Sequence, residues 1–311
     1  MSDPSPSRSG FAAAWRKPGL LAAEIAWRWG FGASALTIAI AAGLRLLAAT
    51  PVTPGDSAAF RGRDPMLMAL AILHIWQHLR LPLLRVLLIT VPTITLLWIV
   101  IASIGRAITL PRLVEVHYDF RQRSIFAINI LRAVWMLAAL AACLFSVALA
   151  SLTAARFSPD PYRPNLPLYF LLVLVLLPTV LIAWSTFNWL LSLAPIFCVR
   201  DGAGGLDAIA EARRTVAGHR KAFSTASTLY GLLRLFTLFF YVGATTTAAS
   251  LAAQILDMRA AWAIVILFSL IYFVAADFLY VARLAAYIAI LRPQTEDKPQ
   301  LQLPSIAPVT A

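Results

Sequence analysis

The chain has 311 residues, 60% of them apolar and 13% charged, with a mean hydropathy of +0.79 and a formal charge of +12. Soluble domains run about 45–50% apolar and about 25% charged, so an ordinary soluble globular protein is excluded, and so is a disordered chain. The basic excess would suit nucleic acid in a soluble protein, but here Lys and Arg flank apolar runs, where they set topology and meet anionic lipid headgroups; nucleic acid is not an expected partner.

Residues 1–18 open with the polar, Pro/Ser-rich run MSDPSPSRSG and read as a disordered tail, with no persuasive signal-peptide cleavage site. Residues 19–292 then read as an all-α, polytopic transmembrane six-helix bundle with two short amphipathic interfacial helices. The first span covers about Ala26 to Leu47, extended at its start from Leu20, where Glu24 and Arg28 are four apart and can pair on one helix face. Trp15, Trp27 and Trp29 mark an interface belt. A polar loop, Thr50 to Pro65, leads to an amphipathic surface helix over Met66 to Leu79. The second span, Leu83 to Ser103, contains Pro92, which is expected to kink it. A basic loop, Gly105 to Ser124, precedes the third span, Ile125 to Leu149.

The fourth span runs from Leu168 to Leu193 and contains Pro178; a second basic loop with its own helix occupies Arg200 to Lys221. The fifth span is Thr225 to Ala253 and the sixth Ala261 to Ile290, joined by a short turn at Asp257 to Ala260. Residues 293–311, with four prolines, read as a second disordered tail. With the N-terminus placed in the cytoplasm, 15 Lys and Arg fall on the cytoplasmic side and 6 on the other, so both termini are expected inside, in a bacterial inner membrane.

A charge at mid-bilayer costs about 2.5–3.5 kcal/mol on insertion scales, which makes buried charges the first place to look for a site. Arg45, Arg85 and Arg283 lie near span ends and can snorkel. Asp277 lies about 15 Å from the inner end of the sixth span, and Arg234 at nearly the same depth in the antiparallel fifth, which predicts an Arg234–Asp277 ion pair. Arg132 in the third span is the competing or additional partner, and Tyr280 can join this network. A weak internal repeat relates Trp98 and Ile130-Leu131-Arg132 to Trp189 and Leu232-Leu233-Arg234.

In the second basic loop, Asp207 and Glu211 come early in the helix, and Arg213, Arg214, Arg220 and Lys221 come late or just after it, complementing the helix dipole. The expected geometry is a helix on the inner leaflet, with those four cations touching anionic lipid headgroups. The span ending in Leu193-Ala194-Pro195, the polar turn, Ala208 to Arg214 and the basic helix end resemble the membrane domain associated with some glycerophosphodiester phosphodiesterases. The resemblance covers Trp184 to Ala289. It implies a six-helix membrane domain and no catalytic residues, because the hydrolase of that family is a separate soluble domain.

His74 and His78 share a helix face, but the run HIWQH lacks the glutamate base of a metalloprotease helix. There is no P-loop, GxSxG or dinucleotide fingerprint, and Asp201-Gly202 lacks the downstream aspartates of a phosphatidyltransferase motif. Cys143 and Cys198 carry no disulfide or zinc spacing. No cofactor or metal is expected. The leading expectation is a non-enzymatic membrane protein that organises lipid, a membrane-protein partner or a homo-oligomer at the inner leaflet. The alternative is a small transporter or transporter subunit using the Arg234/Asp277 region, with a lipid-acting enzyme third.

Overall fold

The computed structural model describes residues 5–62, 64–115, 122–158, 165–255 and 257–291. Among these, the elements are all helical: α1 (Pro6–Arg16), α2 (Pro18–Ala48), α3 (Pro54–Gly62), α4 (Pro65–Val114), α5 (Gln122–Arg156), α6 (Leu166–Arg200), α7 (Gly205–Gly218), α8 (Arg220–Ile255) and α9 (Met258–Leu291). Six of them, α2, α4, α5, α6, α8 and α9, are long and apolar enough to cross a membrane. This is the expected all-α polytopic architecture. The chain divides into two compact units, a terminal unit of residues 1–21 and 214–311 and a central unit of residues 22–213.

The helix starts follow local chemistry. Asp64 caps α4 by accepting from the Met66 N–H at 2.8 Å, and Pro65 takes the first helical position, where no N–H is needed. Asn165 does the same for α6, accepting from Leu168 N–H at 3.1 Å. Asp257 opens α9 by accepting from Ala260 N–H at 2.7 Å. Thr53 and Asp56 form a reciprocal cap on α3: the Thr53 N–H and hydroxyl donate to Asp56 Oδ2, and the Asp56 N–H donates to Thr53 Oγ1.

In the terminal unit, α8 and α9 form an antiparallel hairpin with α1 lying on α9. Its core is Phe223, Ala226 and Tyr230 of α8 against Val281, Ala282 and Leu284–Ile288 of α9. The disorder expected over residues 1–18 does not hold for Pro6–Arg16, while residues 1–4 lie outside the described residues. Residues Pro6–Arg16 are helical and seated, because the polar opening run gives way at Gly10 to an apolar stripe of Gly10, Phe11, Ala14 and Trp15. Phe11 packs 5.1 Å from Tyr230 and 6.1 Å from Phe278, Trp15 meets Phe278 edge-on at 6.2 Å, and the Tyr230 hydroxyl donates to the Ser7 carbonyl at 3.0 Å. Gly10 is the crossing point: a Cβ there would run into the Ala282 carbonyl and stand 2.8 Å from Ala286 Cβ.

In the central unit, α5 and α6 pair, α4 packs on both, and α3 folds back on α4. Burial concentrates at one end of these antiparallel helices: Ile99, Ala102, Leu110 and Leu113 of α4, Ile125, Ile128 and Ala133 of α5, and Leu191 to Val199 of α6. Three expectations are corrected. The surface helix over Met66 to Leu79 is not separate but the first half of α4, a 50-residue rod about 75 Å long. The stretch expected as a loop from Gly105 is still α4, down to Val114, because Ile108, Leu110 and Leu113 continue its apolar pattern between the basic residues. The polar loop before α4 contains the short helix α3. The helix runs on through Pro82 and Pro92, as does α6 through Pro178. The expected tail at 293–311 lies outside the described residues. Cys143 and Cys198 are both free.

The close crossing at Gly10 makes a prediction. Gly10→Val is expected to destabilise the α1–α9 contact by about 1–3 kcal/mol, the usual cost of overpacking. Amide hydrogen exchange across residues 6–16 should accelerate while exchange in α5 stays unchanged.

Candidate functional site

The central unit holds a chain of polar and aromatic contacts across α4, α5 and α6. Asn129 on α5, fully buried, donates from Nδ2 to Ser103 Oγ on α4 at 2.9 Å, and the Ser103 hydroxyl donates in turn to the Ile99 carbonyl at 2.6 Å. Asn129 Oδ1 is buried without a hydrogen-bond partner. One turn along, Arg132 Nε donates to Asn188 Oδ1 on α6 at 3.3 Å, and its guanidinium lies over the Trp98 ring at 5.4 Å. The Trp135 indole N–H donates to the Trp184 carbonyl at 3.3 Å, and its ring packs 4.7 Å from Phe187. Arg132 thus contacts an amide of α6 and an aromatic face of α4, which links three helices.

A second cluster joins α2 to α4. Glu24, 1% exposed, accepts from Arg28 Nε at 2.9 Å and from the Trp27 indole N–H at 2.9 Å, so the pairing expected from the i,i+4 spacing is present. The Trp27 ring sits on Gly105, where a Cβ would collide with it, and the guanidinium of Arg106 lies 5.9 Å from the same ring.

In the terminal unit, Asp277 is buried on α9 and Tyr280 lies one turn on, under the Arg283 guanidinium at 5.3 Å. Arg234 stands on the exposed face of α8. Asp277, the anticipated partner of Arg234, is engaged in an interaction of its own. The buried stripe of α8 runs Phe223, Ala226, Tyr230, and continues through Leu233, Thr237 and Tyr241; Arg234 is one residue off that stripe, about 100° around the helix. Arg234 is thus out of phase with the packed face of α8. Farther along the hairpin the Tyr241 hydroxyl and Ser269 Oγ are 2.9 Å apart, and Tyr241 stacks on Tyr272 at 4.8 Å.

Arg213 and Arg214 are exposed on α7 and Arg220 and Lys221 are exposed at the start of α8, while Ala208 and Ala212 bury the other face of α7. The histidine pair has become a capping contact. His74 Nδ1 lies 3.2 Å from Asp56 Oδ2, and His78 donates from Nδ1 to the His74 carbonyl at 2.9 Å. Hydrogen bonds from Thr53, with a smaller contribution from the charge of His74, hold the Asp56 carboxyl below the usual carboxylate range. Among the described residues no group of three or more His, Cys, Asp or Glu is placed to hold a metal ion.

The six apolar helices make the chain a multi-pass integral membrane protein. No family model, curated protein or solved structure matches it.

Two outcomes follow. A double-mutant cycle of Asn129→Ala and Ser103→Ala, read by denaturant unfolding in micelles, is expected to give a coupling of about 0.6 kcal/mol and no more than about 1.7; zero coupling would mean the hydrogen bond is idle. Asp56 has a depressed folded-state pKa, so its contribution is present above its unfolded value of about 3.9 and is lost as pH falls through the lower folded value. Hydrogen exchange in residues 54–62 should therefore stay slow at pH 5 and accelerate below pH ~3.9, and Asp56→Asn should abolish that pH step.

Proposed function

We propose that this protein is a non-enzymatic scaffold of a bacterial inner membrane, with both termini cytoplasmic, that gathers anionic lipid or a membrane-protein partner at the inner leaflet. The observation that carries this reading is the exposed basic run Arg213, Arg214, Arg220 and Lys221 around the α7–α8 junction. Leu206, 80% exposed at the other end of α7, supplies an apolar side chain for the same interface. A helix with a buried alanine face, an exposed leucine and a basic end suits the headgroup layer. Each Lys or Arg near an anionic surface contributes about 1 kcal/mol, so four together make a strong preference for anionic lipid. The non-enzymatic part rests on the sequence, which carries none of the nucleotide, hydrolase or metalloprotease motifs sought. The transporter reading required Arg234 and Asp277 to share a site, and the exposed position of Arg234 on α8 does not favour it.

The test uses the full chain in nanodiscs of mixed phosphatidylglycerol and phosphatidylcholine, followed by native mass spectrometry of retained lipid. Wild type is expected to enrich phosphatidylglycerol. The variant Arg213→Gln/Arg214→Gln/Arg220→Gln/Lys221→Gln is expected to lose most of that enrichment. Equal enrichment in both would defeat the reading.

A further inference from the structure

His74 and His78 stand one turn apart on the first half of α4, where residues at i and i+4 share a helix face. Their ring centroids are 4.8 Å apart and the ring planes are tilted by 55°. The His74 side chain is 40% exposed, and His78 is exposed as well. His74 comes about 13 Å before Leu83, where the apolar span is expected to begin, so the pair stands outside the hydrocarbon core.

One nitrogen of each ring is already engaged. His74 Nδ1 lies 3.2 Å from Asp56 Oδ2, and His78 Nδ1 lies 2.9 Å from the His74 carbonyl. A carboxylate and a carbonyl only accept, so Nδ1 carries the proton of each neutral ring and Nε2 carries the lone pair. Metal-binding histidines are arranged in this way: one nitrogen goes to the ion, and the other donates its N–H to a carboxylate or a backbone carbonyl. Both kinds of outer partner occur here, one per ring. Asp56 is itself fixed, since the same Oδ2 accepts from the Thr53 N–H at 2.9 Å and the Thr53 hydroxyl at 2.7 Å. The His74 ring is therefore oriented from α3, and the His78 ring from the backbone of α4.

The spacing of the rings also fits. A zinc–nitrogen bond of about 2.0–2.1 Å puts the ion about 3.2 Å from each ring centroid, and N–metal–N angles of about 90–109° then set the centroids about 4.5–5.2 Å apart. The observed 4.8 Å falls inside that range.

We propose that His74 and His78 bind one late first-row divalent ion, such as Zn²⁺ or Cu²⁺, through Nε2 of each ring, with Asp56 as the positioning carboxylate. Imidazole suits Zn²⁺, Ni²⁺ and Cu²⁺, with Cu²⁺ held most tightly, whereas Ca²⁺ and Mg²⁺ require a shell of oxygens. Among the described residues no third His, Cys, Asp or Glu joins the pair, so water takes the remaining positions and the site is open and exchangeable. The run HIWQH lacks the glutamate of a metalloprotease helix, which removes the hydrolytic base and leaves ligation intact. Metal on Nε2 makes the His74 Nδ1–H a stronger donor to Asp56, so the ion also fastens α3 to α4. The site is independent of the lipid-gathering reading and shares no residue with the α7–α8 basic run.

The test titrates Zn²⁺ into the full chain in micelles, free of any affinity tag, in competition with a chromophoric zinc chelator. Wild type is expected to take one ion per chain, which Cu²⁺ displaces and excess Ca²⁺ or Mg²⁺ does not. His74→Gln and His78→Gln break the chelate and should each weaken binding by more than about tenfold, at least the loss that follows removal of an outer partner. Asp56→Asn should weaken it about tenfold, keep one ion per chain and shift the visible absorption band of the Cu²⁺ complex. The exchange His78→Gln/Leu79→His keeps two histidines but sets them about 140° apart around the helix, so it should lose the ion as the single changes do. A second measurement needs no variant: Zn²⁺ should slow amide exchange in residues 54–62 of the wild type. The absence of a saturable ion on wild type, undiminished binding in the His78→Gln/Leu79→His chain, or unchanged exchange in residues 54–62 with Zn²⁺ bound would each overturn the proposal.

Discussion

In hydrocarbon, burying leucine against leucine gains little, because lipid tails already surround it; helices are held together instead by close packing and by polar groups with nowhere else to go. That constraint accounts for where this protein is tight. The central unit is knit at one end, where Asn129 reaches Ser103 and Arg132 reaches Asn188, and where Leu191 to Val199 vanish from the surface. Leu36, Leu87, Leu144 and Leu174, by contrast, remain exposed along the spans. The terminal unit obeys the same rule with different materials: small residues at Gly10, Ala282 and Ala286 let α1 approach α9, and aromatic rings fill the space around them.

The constraint also explains the hydroxyl groups. Thr37, Thr93, Thr179, Thr186 and Thr237 each donate to the carbonyl four residues earlier, and Ser146 and Ser151 do likewise. A side chain that satisfies itself on its own backbone can face lipid without penalty. Asn129 and Arg132 cannot do this, since an amide and a guanidinium have more donors than a local carbonyl can take. They become links between helices for that reason.

The spans were legible because eighteen or more apolar residues in succession admit few other outcomes, and the Glu24–Arg28 pair was legible because i,i+4 spacing fixes the geometry within one helix. What lies between helices was harder to read. Depth in the bilayer can be counted from a span end, but facing direction depends on which stripe packs, and Arg234 missed the α8 stripe by one residue. Asn129 and Asn188 gave no signal of their own, being single amides in apolar runs whose partners lie 26 and 56 residues away. The charges around Gly105 and Arg106 suggest a loop, yet both lie within α4, and Gly105 is the seat of Trp27. The helix at Pro6–Arg16 is hard to read from composition because polar residues surround the few positions, Gly10, Phe11 and Ala14, on which its docking depends.

The continuity of α4 has a mechanical consequence. The rod is far longer than the ~30 Å hydrocarbon core, and it carries the α3 corner, with Asp56 and His74, near one end and the seat of Trp27 toward the other. The contacts at His74 and Gly105 sit on one continuous helix, with Pro82 and Pro92 between them each omitting a backbone hydrogen bond. Glu115, at φ +62° just past Val114, ends the helix with a left-handed residue whose N–H caps the Pro111 carbonyl. Inserting a single residue between the two contacts would turn one against the other by about 100°, enough to place a different face of α4 under the Trp27 indole.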